Sequence, residues 1–132
     1  MIAMVRFRAG DGTYALPVGD VRQVRTGDGL SLLPSGRTGV AGLVRWQGDA
    51  LPVVSLLGAD RSRLLIIEAG GHRFGLLAED VSGVIRVDEA RLGPPPAGQD
   101  GELVTGTLDA GDELLLVLDA GAIARMALGP SG

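Results

Sequence analysis

The side chains able to do chemistry are few, and their spacing does not gather them. His72 is the only imidazole. It lies beside Gly70-Gly71, a turn-like position where a histidine is ordinarily solvated. Without a second histidine, a Ser-His-Asp triad would have to be built on His72. Ser31, Ser35, Ser55, Ser62 and Ser82 lack the G-x-S-x-G context of a nucleophile elbow. Cysteine is absent, which removes disulfides, thiolate zinc sites and thiol nucleophiles. Carboxylates are paired at Glu79-Asp80, Asp88-Glu89 and Asp112-Glu113. Adjacent residues on a strand point to opposite faces, so these pairs read as solvated turn acids. Gly70-Gly71 lacks the Lys and Ser or Thr of a phosphate loop. No spacing resembles a calcium loop. The expectation is a chain without catalysis, and without a bound metal, nucleotide or other cofactor.

The elements that hold these residues read as β. The chain has 132 residues, one domain's length, and 45% of them are hydrophobic. Aromatics are only 3%, so the core must be built from Leu, Val, Ile and Ala. Twenty-two glycines and seven prolines fall between short apolar runs, the punctuation of frequent turns. A net charge of −4 and a pI near 4.8 argue against nucleic-acid binding. The Met1-to-Val5 start is too short for a signal peptide. No apolar run reaches the roughly 20 residues that span a bilayer. The cytoplasm is the simplest compartment.

Strands are expected at Met4–Arg8, Thr13–Val18, Val40–Gln47 and Leu51–Leu57, while Leu30–Pro34 runs into a Gly-rich loop. Others are expected at Leu64–Glu68, Arg73–Leu77, Val81–Val87, Leu103–Leu108 and Leu114–Leu118. Val21–Val24 reads as a short extended or single-turn segment. Pro52 points to an edge or a bulge. One helix is expected, Ala120–Leu128, with Asp119 as N-cap and Gly129-Pro130 as its stop.

The halves repeat. Tyr14, Leu16, Asp20, Val21 and Val24 match Phe74, Leu76, Asp80, Val81 and Val84 at one offset, 74 − 14 = 60. Val5 and Phe7 fall on Leu65 and Ile67. Further on, Gly48-Asp49-Ala50-Leu51 matches Gly111-Asp112-Glu113-Leu114, with 111 − 48 = 63. Internal repetition points to two copies of a strand–hairpin–strand unit. A half of about 60 residues is marginal as a lone core, so the halves must fold together.

What remains is surface. Along Val40–Gln47 one face carries Leu43, Arg45 and Gln47, and the other Gly42, Val44 and Trp46. Trp46 reads as core. Val21-Arg22-Gln23-Val24 either packs locally or offers a docking edge, and composition leaves both open.

In order and spacing the chain resembles the CheW family from about Met4 to about Met126. The resemblance rests on Tyr14, Val21-Arg22-Gln23-Val24, Leu33-Pro34, Gly39-Val40-Ala41-Gly42 and Gly48-Asp49-Ala50-Leu51-Pro52-Val53-Val54. It continues through Gly75-Leu76-Leu77-Ala78-Glu79-Asp80-Val81-Ser82-Gly83-Val84, Gly106 and Gly111-Asp112-Glu113-Leu114-Leu115-Leu116-Val117-Leu118-Asp119. It implies an all-β fold of two intertwined SH3-like β-barrels with a short C-terminal helix. The whole chain, 1–132, would be one domain, with subdomains near 1–60 and 61–128 able to exchange strands. It also implies a non-enzymatic adaptor between the cytoplasmic tips of chemoreceptors and the regulatory domain of the kinase CheA. That role involves no nucleic acid and no membrane insertion, although receptor arrays would recruit the protein. The positions matching the family's receptor groove are Val21, Gln23, Gly42, Gln47, Gly75, Val81 and Val84.

Two departures stand out. Where the family carries Asn-Leu-Arg-Gly, this chain has Arg45-Trp46-Gln47-Gly48. Where it carries Pro-Val-Val-Asp-Leu, the acid is Ser55. Residues two apart on a strand share a face at roughly 6.5–7 Å, so Arg45 is expected to stand in for the missing arginine and joins the groove set. The alternative is a divergent paralogue that binds only one partner, or a localisation or motility factor. A detached kinase fragment is a further reading, although Met1 and Ser131-Gly132 favour a free-standing chain.

Overall fold

Short apolar runs alternating with turns fold here into strands and little else. The computed structural model describes residues 1–32, 39–55, 62–96 and 103–129. Within them lie β1 (Ile2–Ala9), β2 (Gly12–Pro17), β3 (Val21–Thr26), β4 (Ser31–Leu32), β5 (Val40–Trp46) and β6 (Asp49–Val54). The second half adds β7 (Arg63–Ala69), β8 (His72–Ala78), β9 (Asp80–Val87), β10 (Leu92–Gly93), β11 (Val104–Asp109), β12 (Leu114–Leu118) and α1 (Ala120–Leu128). Pro34, the expected strand end at Leu57 and the stop at Pro130 lie outside the described residues. Val21–Val24 is fully extended within β3, and the single turn precedes it, at Val18–Asp20.

The strands form two six-stranded sheets, ordered β10-β11-β12-β2-β1-β9 and β3-β7-β8-β6-β5-β4. The hairpin β1–β2 thus joins strands from the second half, and the hairpin β7–β8 joins strands from the first. The chain passes between sheets at Val18–Asp20 and again at Glu79.

The repeat extends to register. Phe7 faces Tyr14 as Ile67 faces Phe74. β3 bulges on β7 between Val21 and Gln23, and β9 bulges on β1 in the same way, with Val81 opposite Phe7 and Gly83 opposite Arg6. β5 bulges between Val40 and Gly42, and β11 between Val104 and Gly106. Here the offset is 106 − 42 = 64, not the 63 read from the Gly-Asp match. The glycines occupy different turn positions. Gln47 and Gly48 both have positive φ, as a type I′ turn requires, whereas Gly111 stands at the position of Gln47. At both bulges a glycine is needed for close approach. A Cβ on Gly42 would clash with the Ser31 carbonyl oxygen, and one on Gly106 would meet that of Gly93 at 2.6 Å.

Each sheet curls around its own interior. One encloses Val44, Leu51, Val53, Leu64, Ile66 and Leu77. The other encloses Met4, Ala15, Leu108 and Leu115. Between the sheets lies a larger core that includes Phe7, Leu16, Leu65, Ile67, Phe74 and Leu76, with Ile123 from the helix. α1 begins as expected, with Asp119 accepting from the Ala122 amide at 3.1 Å. Pro52 lies where its strand has one partner only, because the β6–β8 ladder begins at Val53.

Two polar expectations need correction, that for the paired acids and that for His72. Asp112 and Glu113 are not idle turn acids: both approach the Arg6 guanidinium, and Glu113 hydrogen-bonds it. They leave the strand at the turn, so strand alternation does not separate them. Glu79 likewise pairs with Arg8, and Asp88 caps the Ala90 amide. His72 is half-buried rather than solvated, and its Nε2 is buried without a hydrogen-bond partner.

Phe74 is fully buried in the central core, so Phe74→Ala should cost roughly 3–5 kcal/mol in urea denaturation. Tyr14 is only partly buried against the same core, and its truncation should cost less. Gln47→Asn should stabilise by roughly 0.5–1 kcal/mol, because asparagine tolerates positive φ better than glutamine. An unchanged denaturation midpoint would contradict that expectation.

Candidate functional site

β3 and β9 each form one edge of their sheet, with β4 and β10 at the opposite edges, and they are repeat counterparts. On β3, Val21 is paired with Ile67 and Val24 with Leu65. On β9, Val81 is paired with Phe7 and Val84 with Val5. All four pairing partners belong to the central core. Directly paired residues share a face, so these valines extend the core outward to two open edges. Val21 and Val81 pack against the core. Val24 and Val84 emerge from it, 42% and 60% exposed. Each edge strand begins at a crossover between sheets, which sets both at the seam.

The other expected residues divide. Gly42 and Gly75 are buried and present no side chain. A Cβ on Gly75 would meet Leu64 Cδ1 at 2.8 Å, so the visible role of both is close packing. Gln23, Arg45 and Gln47 are exposed at the mouth of the barrel built on β3 to β8. Gln23 Oε1 accepts from Trp46 Nε1 at 2.8 Å, and Arg25 Nη1 donates to the Arg45 carbonyl at 3.1 Å. These two bonds join β3 to β5 and close the barrel. Trp46 packs its ring on the interior, as expected of core, while its N–H faces the rim.

The strand alternation on which Arg45 was expected to stand in for an arginine at Gln47 stops short of Gln47. β5 ends at Trp46, and Gln47 turns away with φ of 49°. The two side chains therefore do not stack along one strand face. Arg45 instead shares its face with Leu43, which is 37% exposed.

A charge network borders this mouth. Glu68 binds Arg73 at 2.6 Å and Arg22 at 2.9 Å, and Arg73 lies 3.6 Å from Asp49. Hydrogen bonds from Arg73 and then Arg22 hold the Glu68 carboxyl below the usual carboxylate range. The Arg73 guanidinium also lies 6.0 Å from the centre of the Trp46 ring. Among the described residues no three His, Asp or Glu side chains gather as a metal site, and no helix is long and apolar enough to cross a membrane.

Two repeat-related edges over one shared core, with a C-terminal helix, are an architecture that known proteins share. A family model described as the CheW-like domain matches residues 3–128. The chain belongs to the CheW-like domain family. FrzA of Myxococcus xanthus is 31% identical over 103 residues, which are 71% of this chain and 64% of FrzA. The chain thus covers less than two thirds of that relative. The crystal structure of the scaffolding protein TtCheW from Thermoanaerobacter tengcongensis superposes with a TM-score of 0.82 at 25% identity, over 92% of this chain and 86% of that one. The CheW-like fold of paired SH3-like barrels follows. The sequence reading missed Val24 as a surface residue, although the pairing of Val24 with Val84 at offset 60 signalled it.

Asp20, in the first crossover, has its pKa raised by burial and then by Asp119, opposed by Arg22. A carboxyl whose pKa is higher folded than unfolded costs stability once ionised, and costs nothing below its unfolded pKa. Asp20→Asn should therefore be more stable than the parent at pH 7. The difference should shrink as pH falls through the carboxylate range, which urea titrations at pH 7 and about pH 3 would measure.

Proposed function

We propose that this chain is a non-enzymatic cytoplasmic adaptor coupling the tips of chemoreceptors to the regulatory domain of a CheA-type histidine kinase. The supporting observation is the pair of exposed valines, Val24 and Val84, at free edges over one core. An apolar strip between two strand edges suits a helical hairpin laid across it, the helix-in-groove mode. Val21, Val81, Val24 and Val84 would supply the apolar contact. Gln23, Arg45 and Gln47 would form the polar rim, with Gly42 and Gly75 shaping the barrel beneath. Membership in a scaffold family supports a role carried by surfaces rather than by reaction chemistry.

A second reading has its own observation. The mouth is closed by an uncharged Trp46–Gln23 bond, and the family's usual Arg and Asp are Gln47 and Ser55. A paralogue that binds only one of the two partners, or a localisation or motility factor instead, fits that change.

Binding of a receptor-tip fragment and of the kinase regulatory domain should be titrated separately. Val84→Asp should weaken receptor binding by about 2 kcal/mol or more, because it places a charge against an apolar helix face. Kinase binding and urea stability should be nearly unchanged. Receptor affinity equal to that of the parent would remove the groove from the proposal. Binding of the kinase domain alone would favour the second reading.

A further inference from the structure

The two valine edges are matched by the repeat, but only one of them is latched. β3 ladders to β7 alone and reaches the far side of its barrel through side chains. Gln23 Oε1 accepts from Trp46 Nε1 at 2.8 Å, and Arg25 Nη1 donates to the Arg45 carbonyl at 3.1 Å. Gln23 and Arg25 flank Val24 in sequence. Adjacent strand residues point to opposite faces, so these bonds hold β3 on the face turned away from the shared core. On the other face Val21 packs against that core.

The latch is itself braced. Arg73 lies 6.0 Å from the centre of the Trp46 ring and 3.6 Å from Asp49, the register partner of Trp46. Glu68 binds Arg73 at 2.6 Å and Arg22 at 2.9 Å, and Arg22 precedes Gln23. The side chains thus run in a circuit from Gln23 through Trp46, Arg73 and Glu68 to Arg22, and so back to β3. The second barrel lacks this circuit. At the repeat offsets Gln23 and Arg25 become Gly83 and Ile85, while Trp46 becomes Ala110. None of these three carries a polar side-chain atom, and Ile85 and Ala110 pack on the interior cluster instead. Nothing lies within 4 Å of where a Gly83 Cβ would stand. β9 therefore has no counterpart of the latch.

We propose that Trp46 is a positioning residue for partner docking: it holds β3 as a preformed edge and leaves β9 as the edge that adjusts. This role rests on the docking proposed above for the valine edges, and it makes those edges unequal. A binding surface fixed before its partner arrives loses less conformational freedom on association. At Val24 that freedom is lost in folding, through the Trp46–Gln23 and Arg25–Arg45 bonds. At Val84 it is lost on contact. Trp46 acts through Gln23 and needs no contact with the partner.

Amide hydrogen exchange followed by NMR tests the latch, and titration with a receptor-tip fragment tests its use. Trp46→Phe keeps an aromatic ring on the barrel interior and removes the donor to Gln23. In the free protein it should speed exchange of the Val21–Thr26 amides about three- to tenfold, the range for losing one hydrogen bond. Exchange along Asp80–Val87 should not change. Gln23→Met, which removes the acceptor, should have the same effect, and the double variant should add nothing further. Gln23→Glu keeps an acceptor and should keep the parent's protection. Binding of the fragment to Trp46→Phe should weaken about three- to tenfold. Unchanged exchange in β3, or an equal rise in β9, would overturn the latch. A looser β3 with unchanged affinity would overturn the positioning role. So would weaker binding without a looser β3, which marks a direct contact of the indole. A parent protein that binds no fragment would remove the proposed function, and the positioning role with it.

Discussion

The rest of the structure depends on the core shared between the two sheets. Among the described residues neither barrel interior is large: one has six buried residues and the other four. The core between them has sixteen, drawn from both halves and from the helix. Fully burying an aliphatic or aromatic side chain is worth roughly 1.5–3 kcal/mol, so most apolar stabilisation lies where the sheets meet. A barrel separated from its neighbour would expose Phe7, Leu65, Ile67 and Phe74 to water. Exchange of hairpins reinforces the same dependence, since each barrel needs strands from the other half of the chain. Edge strands that flank such a core are laddered on one side only, with β3 reaching β5 through side chains alone, and Val24 and Val84 stay exposed on them.

Bulges make the shared core possible. A strand in a flat sheet would aim alternate residues at one interior only. The extra residues at Arg22 and Ser82 shift alternation along β3 and β9, and those at Ala41 and Thr105 do the same along β5 and β11. On β5 the result is that Val40 packs on the central core while Val44 packs on the barrel interior. The glycines Gly42 and Gly106 belong to this device, because the bulged strands pass too close to Ser31 and Gly93 for any side chain. A sequence that keeps glycine at both places is keeping a backbone crossing.

What the sequence made legible follows from what was local. Strands, helix, N-cap and the offset of 60 could be read because alternation and hairpin chemistry act over a few residues. The offset of 63 misled because a Gly-Asp pair marks a turn without saying which turn position glycine takes. Gln47 was placed on a strand because nothing in its side chain announces positive φ. The carboxylates looked idle because their cation, Arg6, is 107 positions from Glu113. His72 looked solvated because a turn position says nothing of a helix that packs against the same hairpin. Of the residues proposed to dock a partner, Val21, Val81 and Val84 were legible through the repeat and the family resemblance. The packing roles of Gly42 and Gly75 required knowing which strands cross.

The two barrels keep one backbone plan but close differently, and that contrast bears on where partner discrimination can reside. In the barrel of β3 to β8, closure is polar: Trp46 donates to Gln23, and Arg25 to the Arg45 carbonyl. In the other, the counterpart of Trp46 is Ala110, and closure is apolar, with Ile85, Val87 and Ala110 on the interior cluster. Ion pairs rim both mouths, Arg73 and Arg22 with Glu68 in one and Arg6 with Glu113 in the other, on non-equivalent residues. The valines on β3 and β9 are matched by the repeat, so an apolar helix could approach either edge with similar affinity. The mouths are not matched. A partner that reaches past the valine edges meets an indole and an amide beside one barrel, and an alanine beside the other. If the proposed docking holds, orientation on this surface would be decided by the rims and affinity by the edges.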